Sequence, residues 1–243
     1  MAWSILSALV GVGSYLLARR ARGSETQQNR SNLEDKIRKR SRQLERSYNI
    51  TLEALSDMLY LKNPGSKGHS KRVRAFTIAI ARALGLSTEA IKIIARGAFM
   101  HDIGKLGVPD AILNKSGHLT EREMEIIRKH CYWGYQTLMK IPFMQEAANI
   151  VYSHEERFDG TGYPRGLKGE EIPLGARIVA VAATFDAITS DHPGRQAESV
   201  QAARDEIDRC SGGQFDPKVV ETFLNMPEGI WEDLHKGVDS PPS

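Results

Sequence analysis

Apolar residues recur at Leu33, Ile37, Leu44, Tyr48, Leu52, Leu55 and Leu59, in steps of three, four and seven. That period predicts a long amphipathic helix, either a dimerising stalk or the first helix of a folded domain. Gly23 to Arg30 before it reads as a polar linker, and Asn63-Pro64-Gly65 after it as a turn. Beyond the turn the period stays helical. Val73, Phe76, Ile80 and Leu84 form one face that stops at Gly85, and Ser87 opens a helix carrying Ile91, Ile94, Ala95 and Ala98 toward His101. Thr120 and Glu123 make a capping box, which predicts a helix running through Ile127, His130 and Gly134. A further helix brings Ile150 and Val151 up to His154, another runs from Leu174 to Thr189 after Pro173, and Asp216-Pro217 starts the last. No segment alternates with period two and no repeat is visible, so the predicted fold class is all-α.

The first residues follow a different pattern. Ala2 to Ala18 is uncharged and mostly apolar, with Arg19, Arg20 and Arg22 directly behind it. As a helix, 17 residues reach about 25 Å, the short end of a bilayer span. The arginines predict a single inner-membrane anchor with the remainder in the cytoplasm. A cleaved signal peptide is the rival reading, but a positive start and an A-x-A site are missing; a peripheral apolar helix is the third. The net charge of +3 belongs to this region, because residues 19–46 carry ten Lys/Arg against four Asp/Glu. A basic band there suits a membrane surface and leaves no nucleic-acid-binding face on the domain. The expected organisation is an anchor over 1–22, linker and stalk over 23–51, a domain over 52–230 and a flexible tail over 231–243. Two cysteines, Cys131 and Cys210, without CxxC spacing give no disulfide framework.

The candidate chemistry lies in His69, His101, His130 and His154, each at a helix end or on an apolar helix face, with Asp102 beside His101. One such histidine alone reads as a satisfied core residue. Four from four helices read as a metal site, since bundles build such sites from inward side chains on facing helices. His118, His192 and His235 read as solvated. Cys131 reads as a small buried residue pointing away from the His130 face.

The segments GHSKRV (68–73), HDIGKLGVPDAILNK (101–115), IRKHCYWG (127–134), SHEERFDGTGYPRGLKGEEIPLGARIVAVA (153–182) and FDAITS (185–190) resemble the HD-GYP family, in one order from about Leu52 to Phe223. The resemblance implies an all-helical metal-dependent phosphohydrolase, usually a phosphodiesterase for cyclic di-GMP. It implies His69, His101, Asp102, His130 and His154 as ligands of two divalent ions, iron or manganese, with Asp102 bridging them. Lys105 falls on the family's lysine near the bridging water and the scissile phosphate. Asp159 and Gly160 begin the loop of Gly162-Tyr163-Pro164, which the family uses to shape the site and to contact partners, and Tyr163 is a candidate substrate contact.

This sequence departs from the family at several ligand positions. Glu155 stands where the family has a second histidine, and a carboxylate there can still ligate iron or manganese. Ala183 stands where the family has a ligating aspartate; Asp186, three residues on, lies about 60° round the helix. In the segment resembling TSxRPYR, Arg195 remains as a candidate substrate contact, whereas His192 and Gly194 replace an arginine and a tyrosine. Gly65 occupies the position of a glutamate that serves a third metal in some members. The readings are an active phosphodiesterase using Glu155, a degenerate membrane-tethered signalling module, or a phosphohydrolase for another nucleotide.

Overall fold

The structure, a computed structural model, describes residues 2–62, 68–191 and 195–239, and the backbone alone over residues 2–26 and at 28, 29, 45, 60, 238 and 239. It divides into two compact units, one up to Glu53 and one from Ala54 onward. The first helix, α1 (Ala2–Lys62), is continuous for 61 residues. The linker expected over residues 23–30 is therefore helical backbone: Glu25, Gln27, Gln28 and Arg30 are good helix formers, and Gly23 alone does not interrupt them. Among the described residues no helix is long and apolar enough to cross a membrane. The side chains on which the anchor reading of Ala2–Ala18 rests lie outside that description. The turn expected at Asn63-Pro64-Gly65 lies outside it too, as do His192 and Gly194.

The second unit is built from helices, and the described residues contain no strand. α2 (His69–Ala83) ends where the sequence predicts. Gly85 adopts a positive φ, and Leu86 N–H reaches back to the Ala81 carbonyl, a closing pattern that satisfies the free carbonyls of the last turn. α3 (Thr88–Met100) is capped by the Ser87 hydroxyl, which accepts from Ala90 N–H. A 3-10 turn (Ile103–Gly107) and the short α4 (Asp110–Leu113) lead to α5 (Glu121–Arg128), whose capping box has both of its bonds. The single helix expected from Thr120 through Gly134 is broken at Lys129, and α6 (His130–Met139) follows as a separate helix. In an unbroken helix the Ile127 carbonyl would accept from the Cys131 amide; here it accepts from the His130 ring at 2.6 Å.

α7 (Gln145–Ser153), α8 (Leu174–Thr189), α9 (Val200–Arg209) and α10 (Pro217–Leu224) follow, the last capped by Asp216, which accepts from Lys218 N–H. α11 (Glu228–Asp239) replaces the tail expected from residue 231. Its Trp231 is fully buried and packs against Phe185 and Phe223 at ring distances of 5.1 and 4.9 Å. Burying that much apolar surface fixes the segment as part of the domain. His235 is half-buried rather than solvated, against Phe76 and within 3.1 Å of the Thr189 hydroxyl, whereas His118 is exposed as expected. α8 is the central element: Ile178, Val179, Val181 and Phe185 are inaccessible, and α2, α3, α7, α9 and α10 pack around it. The ends of α2, α3, α5 and α7 meet beside it, and the candidate site lies there.

Candidate metal centre

Three histidines share one local device. His101 ends α3, His154 ends α7, and His130 follows α5. Each turns its ring back onto the helix that precedes it, so that Nδ1–H donates to the carbonyl three residues earlier: Ala98 at 2.8 Å, Ile127 at 2.6 Å and Val151 at 2.8 Å. That bond fixes the tautomer and leaves the Nε2 lone pair free. His69, at the start of α2, is oriented from outside its helix, with Nδ1 at 2.7 Å from Asp186 Oδ2.

The four Nε2 atoms converge in pairs on Asp102. His69 and His101 are 3.2 Å apart at Nε2 and face Asp102 Oδ2 at 3.9 and 3.6 Å. His130 and His154 are 3.3 Å apart at Nε2 and face Asp102 Oδ1 at 3.7 and 3.9 Å. Two imidazole lone pairs this close repel each other unless a proton or a cation lies between them. Protons are poor candidates, because burial first of all pushes His101 and His130 down to about 4 and lowers His154 as well. Imidazole nitrogens flanking a shared carboxylate make a donor set that fits divalent cations, one on each side of Asp102.

Burial alone would raise the Asp102 carboxyl. Lys105, then His101, outweigh it and hold the group well below the usual carboxylate range. Burial would likewise lower Lys105, but Asp102 at 2.7 Å prevails and raises it. Glu155 approaches the second pair, with Oε1 at 3.8 Å from His154 Nε2. Cys131 does not point away from the site: its Sγ is 3.6 Å from His130 Nε2. Burial pushes that thiol well above its usual range.

A cavity of about 560 Å³ opens above these groups, within the range of small-molecule sites. Lys105, Arg128, Glu155, Arg157, Tyr163 and Gln214 line it, together with Ala183, which adds no donor. The loop carrying Tyr163 is shaped by its own sequence. Asp159 accepts from the amide and hydroxyl of Thr161 at 2.9 and 2.6 Å. A side chain at Gly162 would collide with the backbone of Glu156 and Arg157, so glycine lets the loop cross there and bond Tyr163 N–H to the Glu155 carbonyl. The Arg128 guanidinium then stacks over the Tyr163 ring at 5.2 Å. Arg195 is not brought to the cavity; it is exposed, and its guanidinium donates to the Ala187 carbonyl.

Two residues act here in ways that spacing did not reveal. Asp186 is fully buried and is not a ligand in waiting. Oδ2 holds His69 and Arg72 Nη2, and Oδ1 accepts from Arg72 Nε at 2.6 Å and from the Ser190 hydroxyl at 3.1 Å. Glu156, also buried, accepts from the amides of Arg165 and Leu167 at 2.8 and 3.1 Å and so ties down the far end of the loop. The sequence did place an acid at each position, but no local signal names its distant partner.

Comparison with known proteins agrees with this geometry. The chain is 38% identical over 213 residues to the cyclic di-GMP phosphodiesterase response regulator RpfG of Xanthomonas campestris pv. campestris, covering 87% of this chain and 56% of that protein. It is 41% identical over 150 residues to the 3'3'-cGAMP-specific phosphodiesterase 3 of Vibrio cholerae, covering 62% and 33%. The chain thus spans about half the length, or less, of these curated relatives. The crystal structure of the Vibrio cholerae cyclic GMP-AMP phosphodiesterase V-cGAP3 shares the fold, with a TM-score of 0.59 at 22% identity over 78% of this chain and 50% of that one. The resemblance to HD-GYP proteins read from the motifs is borne out by these relatives. The signature of the HD domain matches residues 53–219, and the chain belongs to the HD domain family.

Proposed function

We propose that this chain is a metal-dependent phosphodiesterase that opens a cyclic dinucleotide, with cyclic di-GMP as the first substrate to test. The observation that carries this reading is the convergence of four imidazole Nε2 atoms on the two oxygens of Asp102, below a cavity lined by Lys105, Arg128 and Tyr163. Divalent ions held there, iron or manganese, would stabilise charge on a transferring phosphoryl group and lower the pKa of water. The chain's own contributions are distinct. Asp102 joins the two halves of the site, and Lys105 sets a fixed positive charge at the cavity floor, where phosphate oxygens gain negative charge. Tyr163 and the Arg128 guanidinium stacked on it form a wall suited to a purine face. The relatives act on cyclic di-GMP and on 3'3'-cGAMP by their names, which differ by one purine, so both belong in the assay.

A degenerate signalling module is the second reading, favoured by Ala183, which puts a methyl group where the HD-GYP resemblance expects a carboxylate. In either case we assign Ala2–Ala18 as an inner-membrane anchor, residues 23–51 of α1 as a pairing stalk and the Tyr163 loop as a contact for a protein partner. The deciding experiment is hydrolysis of cyclic di-GMP and 3'3'-cGAMP by the full chain, loaded without oxygen with ferrous or manganous ion, beside His101→Ala. Turnover that the substitution lowers by at least about 100-fold supports the enzyme. A folded, metal-loaded chain with no turnover supports the module.

A further inference from the structure

The two sides of Asp102 are chemically unequal. We infer that the chain holds one divalent cation firmly between His130 and His154 and a second only weakly between His69 and His101, so that the level of free cation governs whether the site is complete. The regulatory part rests on the phosphodiesterase reading; the inequality does not.

Three observations carry it. The His130–His154 side has Asp102 Oδ1 and, within reach, the Glu155 carboxylate and Cys131 Sγ. Among the described residues, the His69–His101 side has Asp102 Oδ2 and no further carboxylate, imidazole or thiol. The cavity face of α8 beside it presents Ala180, Ala183, Thr184 and Ala187, with the Thr184 hydroxyl its one polar side-chain group, and Asp186 has both oxygens engaged by His69, Arg72 and Ser190. Second, Asp102 Oδ2 already carries a cation: Lys105 Nζ lies 2.7 Å from it, so an incoming ion shares that oxygen with an ammonium. Third, the most exposed of the four rings lies on the weak side. The His69 side chain is 13% exposed, against 1% for His130 and 4% for His154. With His69, His101 and Asp102 as its protein donors, a cation held there would leave room for phosphate oxygens of a substrate.

The test is a manganous titration of the full chain, read by equilibrium dialysis and electron paramagnetic resonance. The expected result is one tightly held ion per chain and a spin-coupled pair only at excess manganese, with a second dissociation constant at least about tenfold weaker. His69→Ala should abolish the second ion and spare the first; His130→Ala should remove the first. Ala183→Asp and Lys105→Met should each tighten the second ion, about tenfold or more. Two ions of equal affinity overturn the inference, as does a first ion lost in His69→Ala and kept in His130→Ala. Absence of manganese from a chain with native circular dichroism overturns it as well. Because turnover plays no part in these readouts, equal ions in an active enzyme sink this inference alone. Unequal ions in an inactive chain sink the enzyme reading alone.

Discussion

At His101, His130 and His154, a ring nitrogen and the carbonyl three residues back do the work that a partner from another helix does for His69. The local bond presents a neutral imidazole and lets it be buried without leaving a donor unpaired. Burial also makes these rings report pH. In the unfolded chain they titrate near 6.5, but in the fold burial pushes His101 and His130 down to about 4. A depressed folded value means that the unfolded state takes up protons first. The stability held by these rings is therefore complete above about pH 6.5 and is lost as pH falls from there toward 4. Asp102 stays charged throughout that interval, and its own contribution disappears only below the usual carboxylate range. Thermal melts of the metal-free chain should be level from pH 8 to 7 and fall steadily from pH 6.5 to 4.5; a level profile down to 4.5 contradicts this assignment.

Between elements, one close approach is backbone against backbone. The 3-10 turn holding Lys105 crosses the first turn of α6, and a side chain at Gly104 would collide with the His130 carbonyl and lie 2.7 Å from Gly134 N. This crossing sets Asp102 and Lys105 opposite His130, so the spacing of the site depends on one missing methyl group. Gly104→Ala should cost about 3 kcal/mol or more in urea unfolding. Gly117→Ala, where the added atom meets nothing within 4 Å, should change little. Equal midpoints for the two variants would show that the crossing is not constrained. Much of this level was legible in advance, because caps are local: Gly85, Ser87, the Thr120–Glu123 box and Asp216-Pro217 each act within a few residues. What escaped were contacts between distant parts of the chain. Asp186 and His69 are 117 positions apart, and Trp231 belongs to the core because of Phe185 and Phe223, not because of its neighbours in sequence. The break at Lys129 was hidden for a related reason, since helical period alone carries no record of a ring capturing a carbonyl. Arg195 was carried over on resemblance, and the structure turns it toward Ala187 instead.

The chain as a whole carries an uncovered seam. Leu33, Ile37 and Leu44 on α1 are 59%, 58% and 52% exposed, and a helix without packed apolar contacts is marginal in water. Pairing of two stalks would cover them, and sedimentation velocity of the full chain should show a species of two copies that Ile37→Arg with Leu44→Arg converts to one. A wild-type chain that stays single at tens of micromolar refutes the pairing. The helical bundle has a global property of its own. α3, α5 and α7 all end at the site, and a helix carboxyl end carries roughly half a negative charge. Three such ends aim a negative field at one spot, where Lys105 already offsets the charge of Asp102. A cyclic dinucleotide brings two negative phosphodiesters, which that field opposes until a cation has reversed it. Binding is then ordered, cation before nucleotide, and the metal-free domain is poorly suited to act as a nucleotide sink in the cell.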